Sequence, residues 1–282
     1  MRAFSILLSS VVLSGWFAAA QTPPAAVRNG AVRFAVLGDN GTGQKPQYEI
    51  GAQMSAARAD FPFDFVIMVG DNLYGRQQTT DFLEKFQRPY GDLLREGVLF
   101  YAALGNHDEP SNRLYEPFNM GGQRYYTYVK GDVRFIVLDT NLMEPAQLAW
   151  FERTLRDSRE PWVICYFHHP LYSDGGRHGP DVQMRVLVEP LLVRHNVDVV
   201  FTGHEHFYER LKPQKGITHF IAGSGGQLRK GDVEWSDMTA AAFDQDQAFM
   251  LVQVENDTMS FRAISRTGLT VDSGVIRPRP KN

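Results

Sequence analysis

The chain alternates short apolar runs with polar loops and with stretches of helical period. Val32 to Leu37, Phe65 to Val69, Leu99 to Leu104, Trp162 to Phe167 and Val197 to Phe201 are the apolar runs. Being almost continuously apolar rather than alternating, they predict strands buried on both faces. Helical patterns cover Gln47 to Ala57, Asp81 to Arg95, the segment carrying Leu148, Phe151 and Leu155, and Val182 to Arg194. Pro190 inside the last of these predicts a kink or a fresh turn. A hairpin is expected from Tyr125 to Val129 and Val133 to Leu138, turning through Lys130-Gly131-Asp132. Further on, Thr218 to Ala222, Phe249 to Val254, Met259 to Ile264 and Thr270 to Ile276 read as strands. Strands alternating with helices, followed by a mainly β part, predict one α/β domain with two sheets.

The N-terminus is set apart. Met1-Arg2 is a basic start, Ile6 to Phe17 an apolar stretch, and Ala18-Ala19-Ala20 a small-residue cleavage site. Residues 1–20 therefore read as a signal peptide and residues 21–282 as the mature catalytic domain, secreted or periplasmic. The apolar stretch is interrupted by serines and shorter than the ~20 residues of a membrane span, so no membrane contact is expected after cleavage.

At 43% hydrophobic and 12% aromatic, the 282-residue chain can bury a large core, which excludes intrinsic disorder. A formal charge of −3 gives no basic footprint for nucleic acid. A single cysteine, Cys165, cannot form an internal disulfide or a multi-cysteine zinc site; it reads as a buried small hydrophobe.

Chemistry is concentrated where the apolar runs stop. Asp39 follows the first, Asp71 and Tyr74 the second, Asn106-His107-Asp108 the third, His168-His169 the fourth, and His204 and His206 the fifth. Loops at the carboxyl ends of strands in layered α/β proteins converge on one crevice, so groups far apart in sequence can be neighbours in space. Carboxylates, imidazoles, an amide oxygen and a phenol are donors for Fe, Zn or Mn rather than for soft thiophilic ions.

The series Gly38-Asp39, Gly70-Asp71-Asn72-Leu73-Tyr74, Gly105-Asn106-His107-Asp108, His168-x-Pro170 and Gly203-His204-Glu205-His206 resembles the metallophosphoesterase superfamily. Tyr74, three residues after the second Asp, narrows the likeness to purple acid phosphatases, and the chain's length, short of room for the extra N-terminal β domain of the larger plant-type enzymes, makes it resemble their small single-domain form. The resemblance implies a four-layer αββα sandwich: two stacked mixed β-sheets flanked by helices, with metals at one edge. It implies that Asp39, Tyr74 and His206 bind Fe(III), that Asn106, His168 and His204 bind a divalent Fe, Zn or Mn ion, and that Asp71 bridges the two. The implied reaction is hydrolysis of phosphate monoesters, small phosphorylated substrates attacked by a metal-bound hydroxide. The alternatives are a phosphodiesterase or nucleotide hydrolase on the same scaffold, or a non-catalytic metal-dependent phosphate-binding protein. The oligomeric state is left open.

His107 matches the family's proton-donating histidine, and His178 in Arg177-His178-Gly179-Pro180 resembles a second catalytic one. The acid expected just before His178 is replaced by Arg177, with Asp174 a possible substitute from the same loop. His169 is a rival to His168, and strand alternation predicts that only one of the two faces the metals. His195 fits a helix C-terminus and His219 a structural role. Gly38 to Gly43 lacks the Lys of a phosphate loop, Gln44 standing there, and Gly223-Ser224-Gly225-Gly226 reads as a tight loop beside the site. Gln77 to Tyr90, Pro110 to Arg124 and Leu228 to Gln247 are expected as entrance loops.

Overall fold

The structure, a computed structural model, describes residues 30–280. The expected signal peptide lies outside the described residues. Thirteen strands are β1 (Val32–Leu37), β2 (Phe65–Met68), β3 (Leu99–Ala102), β4 (Tyr126–Lys130), β5 (Val133–Val137), β6 (Trp162–Tyr166), β7 (Val199–Thr202), β8 (Tyr208–Leu211), β9 (Thr218–Ala222), β10 (Thr239–Phe243), β11 (Ala248–Glu255), β12 (Thr258–Ser265) and β13 (Thr270–Ile276). Helices are α1 (Lys45–Arg58), α2 (Thr79–Phe82), α3 (Gly91–Arg95), α4 (Pro145–Asp157) and α5 (Val182–Arg194).

One sheet runs β13-β12-β11-β1-β2-β3 and the other β10-β8-β9-β7-β6-β5-β4. Both are mixed: β1, β2 and β3 are mutually parallel, as are β5, β6, β7 and β9, while the outer strands pair antiparallel. The apolar runs are continuous because each face has its own core to fill. Phe34, Val36, Phe135, Phe201 and Met250 pack between the sheets, with the Phe34 ring stacked on Phe65 at 5.3 Å. Ala35, Leu37, Val66 and Met68 point the other way, toward Ile50 and Met54 of α1 and toward Phe86 and Leu93. Ile136 and Cys165 of the second sheet likewise meet Phe151 and Leu155 of α4 and Val188 and Leu192 of α5. These are the four expected layers. Among the described residues no helix is long and apolar enough to cross a membrane.

Four expectations need correction. The helical stretch from Asp81 to Arg95 is three pieces, α2, a π-helical turn over Leu83–Gln87, and α3, interrupted near Pro89, which cannot donate a helix hydrogen bond. Gln77 to Tyr90 is accordingly largely helical rather than an open loop. The segment Val182–Arg194 stays one helix through Pro190 rather than starting a fresh turn there. Val186, whose carbonyl loses its partner there, is on the solvent face, where water can replace the bond. Finally, Tyr208–Leu211 and Thr239–Phe243 are strands that no apolar run announces; the latter lies inside the expected loop Leu228 to Gln247, at an edge of the second sheet.

Candidate metal centre

Each parallel strand β1, β2, β3, β6 and β7 ends in one of the polar blocks, and their side chains meet at one edge of the sandwich. Asp39, Tyr74 and His206 form one group. The Tyr74 hydroxyl donates to Asp39 Oδ1 at 3.1 Å and lies 3.2 Å from His206 Nε2, which is 3.4 Å from the same Asp39 oxygen. Asn106, His168 and His204 form a second group. Asn106 Oδ1 is 3.0 Å from His168 Nε2 and 3.0 Å from His204 Nδ1, and those two nitrogens are 3.2 Å apart. Asp71 stands between the groups, with Oδ1 3.5 Å from His168 Nε2. Donor atoms of Asp39, Asp71 and His168 all fall within 4.8 Å of one another.

The backbone turns sharply to achieve this. Asp39, Asp71 and His204 have φ values of 53°, 53° and 71°, the left-handed region that costs a residue with a Cβ about 1–3 kcal/mol. Hydrogen bonds from main-chain N–H groups hold these turns: Asp39 N–H to the Gly70 carbonyl at 2.9 Å, and His204 N–H and His107 N–H to the side-chain oxygens Asp39 Oδ2 and Asp71 Oδ1, each at 2.9 Å. The loops approach so closely that a Cβ on Gly105 would sit 2.2 Å from the Asp71 amide nitrogen, and one on Gly70 (φ +99°) 2.4 Å from His168 Nδ1.

The chemistry of the donor set fits a pair of cations. His168 Nδ1 donates to the Val69 carbonyl at 3.0 Å, so its Nε2 carries a bare lone pair directed at the Asn106 and Asp71 oxygens. Acceptors facing acceptors at such distances repel unless a cation lies among them. Burial, and then the neighbouring Asp71 carboxylate, holds the Asp39 carboxyl well above its usual range. Burial pushes His204 down to about 2 and His206 down to about 3, and holds His168 well below the usual imidazole range, so the three rings are neutral, as ligands must be. Burial and the two carboxylates push the Tyr74 phenol far up, a direction that only a strong cation reverses.

His107 and His178 flank the groups at the surface. The His107 ring lies 4.7 Å from that of Tyr74, and the His178 ring 4.3 Å from that of His204. Burial, and then the nearby Arg229 charge, lowers His178. Asp174 does not stand in for the missing acid, for its carboxylate accepts from the Ser236 and Thr239 hydroxyls. His169 is a correction. It was expected to face away, yet donors of His168, His169 and His204 lie within 4.8 Å of one another. The strand stops at Tyr166, so its pleat no longer governs either histidine. The His169 ring instead turns to the Thr140 hydroxyl, 2.8 Å from Nδ1. Cys165, His195 and His219 lie where expected: in the core, at the C-cap of α5 and buried in β9. Gly223 to Gly226 borders the site, with Gly225 N–H donating to Gly38 O at 2.9 Å.

Further residues hold these loops in place. Buried Asp108 accepts the N–H groups of Gly105 (2.8 Å), Asn72 (3.1 Å) and Leu73 (3.0 Å), tying the loop after β3 to the loop after β2. Lys85, on the π-helical turn, donates to the carbonyls of Tyr74 at 2.6 Å and Arg76 at 2.8 Å, fixing the segment that presents the phenol. Asp108 was visible within its block. Lys85 and Arg229 carry no local signal.

Comparison with known proteins gives the family. The chain is 26% identical over 237 residues to tartrate-resistant acid phosphatase type 5 of Oryctolagus cuniculus, covering 69% of this chain and 73% of that protein. Among solved structures, purple acid phosphatase PPD1 from yellow lupin seeds superposes with a TM-score of 0.73 at 19% identity, over 89% of this chain but 54% of that one. GAP50, the anchor in the inner membrane complex of Plasmodium, superposes with a TM-score of 0.78 at 18% identity, over 89% and 90% of the two chains. At those identities the two structures speak for the fold alone. Residues 32–208, which contain every one of the polar blocks, match the model of the calcineurin-like phosphoesterases, and the chain belongs to that family.

Proposed function

We propose that this phosphoesterase is an exported acid phosphatase that hydrolyses phosphate monoesters with a binuclear metal centre. The observation that carries the reading is the gathering of seven donors from five strand ends into two groups of three with Asp71 between them. Asp39, Tyr74 and His206 would hold Fe(III), Asn106, His168 and His204 a divalent Fe, Zn or Mn ion, and Asp71 would serve both. Such a pair, when bound, supplies Lewis acidity at the phosphoryl oxygens and acidifies a nucleophilic water.

The chain's own residues do the rest. The strained turns at Asp39, Asp71 and His204 fix the donors before substrate arrives, so little reorganisation accompanies the reaction. His107, exposed and held through its main-chain N–H by Asp71, can carry a proton on its ring to the leaving alcohol oxygen. The monoester preference draws on the acid phosphatase relatives, and export on the basic-apolar-small pattern of residues 1–20.

Metal analysis and a visible spectrum on purified protein, with a chromogenic phosphomonoester assayed under acidic conditions, test the reading. Two metal ions per chain, a purple colour lost in Tyr74→Phe, and turnover are expected. Colourless, fully metallated and inactive protein would refute it.

A further inference from the structure

The loop after β9 places a guanidinium beside the metal-binding cluster, at Arg229. Gln227 N–H donates to the Asp39 carbonyl at 2.9 Å and Arg229 N–H to the His206 carbonyl at 2.9 Å. The backbone that carries Arg229 is thus stitched to two of the candidate ligands. Its side chain is only 17% exposed and turns back along the crevice rather than out to water. There Nη1 lies 3.2 Å from His178 Nδ1 and Nη2 3.0 Å from His178 Nε2. The His178 ring in turn lies 4.3 Å from His204 and 6.4 Å from His206.

The donor count of this arrangement is incomplete. A neutral imidazole offers one acceptor nitrogen, whereas a guanidinium has five N–H donors. The two matched nitrogen separations lay the guanidinium alongside the ring, so His178 can accept at most one of those donors. The other neighbour is buried Glu205, whose Oε2 is 3.5 Å from Nη1, within ion-pair range but beyond a strong hydrogen bond. Glu205 spends its other oxygen on the Gly179 N–H at 2.6 Å, and so ties the His178 loop to the Arg229 loop. Arg229 is therefore a fixed cation, partly desolvated, with donors to spare at the rim of the candidate metal centre, where a phosphoryl group would bind. Planar, bidentate recognition of phosphoryl oxygens is what a guanidinium does best.

We propose that Arg229, steadied by His178 and Glu205, binds non-bridging oxygens of the substrate and selects phosphomonoester dianions over diester monoanions. The inference rests on the phosphatase reading and sharpens it to a charge class of substrate. A monoester presents one more anionic oxygen than a diester with the same leaving group. Arg229 would offer that additional oxygen a fixed cation of its own.

The test uses the full metal-loaded protein and the variants Arg229→Met and Arg229→Lys, with thermal melts to show that each is folded. Calorimetry with inorganic phosphate reads binding without turnover. Arg229→Met should weaken phosphate by about 10- to 100-fold, the worth of a charge-assisted hydrogen bond, and Arg229→Lys should recover part of it. Kinetics on 4-nitrophenyl phosphate and bis(4-nitrophenyl) phosphate near neutral pH, above the monoester's second ionisation at about 6, should show kcat/KM falling about tenfold or more for the monoester and by less than about threefold for the diester. Equal losses on both esters, or unchanged phosphate affinity in Arg229→Met, would overturn the assignment. Should the wild type bind phosphate but hydrolyse neither ester, the phosphatase reading fails, and a loss of phosphate affinity in Arg229→Met still upholds the role of Arg229.

Discussion

Asp71 Oδ1 accepts the main-chain N–H of His107 at 2.9 Å, so the carboxylate proposed to serve both metals also holds the residue proposed to deliver the proton. The two roles can be separated by substitution. Asp71→Asn keeps an oxygen to receive that N–H but removes the charge. It should fold normally, lose metal, and cost at least about 100-fold in kcat. Asp71→Ala should lose metal and also release the His107 segment. Metal content and hydrogen exchange at the His107 amide tell the two apart.

His107→Ala should leave the metal content intact and lower kcat by about 10²- to 10⁴-fold, the range of a general acid. The loss should be greatest for alkyl phosphates, whose leaving oxygen needs a proton, and smallest for a nitrophenyl ester, whose phenolate leaves without one. A series of esters graded by leaving-group acidity measures this directly. Equal losses across the series would assign His107 to substrate binding instead.

Asp108 is a structural acceptor within a functional block. Asp108→Ala strands the buried N–H groups of Gly105, Asn72 and Leu73. With each orphaned donor costing about 1–3 kcal/mol, the variant should lose at least about 3 kcal/mol of stability. Asp108→Asn, retaining one acceptor oxygen, should lose less. Urea denaturation provides the comparison.

Stability should also depend on pH through Glu209, which is not one of the candidate metal ligands. Burial above all, with nearby carboxylates adding, pushes its carboxyl from an ordinary 4.5 up to about 8. Below about pH 4.5 both folded and unfolded chains hold the proton, and the group has no effect. Between 4.5 and 8 the unfolded chain releases it while the folded one keeps it, so stability falls across that window by a few kcal/mol and then levels off. Glu209→Gln should flatten that part of the curve and melt higher than the wild type near pH 8. Thermal melts across the window decide it.

The candidate ligand blocks were legible because each is polar chemistry set abruptly against an apolar strand end, and because parallel strands deliver their carboxyl ends to one edge. The two-sheet sandwich followed from runs such as Trp162 to Phe167, apolar on both faces. What could not be read depends on the path of chain between those runs. Thr239–Phe243 is Thr-Ala-Ala-Ala-Phe, a segment of low intrinsic strand preference that pairs because β8 offers it an edge. Lys85 reaches Tyr74 only because a π-helical turn rotates it there, and Arg229 meets His178 through two loops joined by Glu205. His169 shows the limit of a periodic rule applied three residues past the end of its strand.

The strand order carries a consequence for synthesis. Asp39 and His204, which share a hydrogen bond, are 165 residues apart, and β1 lies inside its sheet between β2 and the late strand β11. A nascent chain released only as far as the third polar block has Asp39, Asp71, Tyr74 and Asn106 but neither the imidazoles of the other half nor the strand that flanks β1. Hydrolytic competence therefore waits until nearly the whole polypeptide has emerged. A partly made or clipped copy is inert by construction, and metal uptake during refolding would time the closure of the last long-range contacts rather than the first.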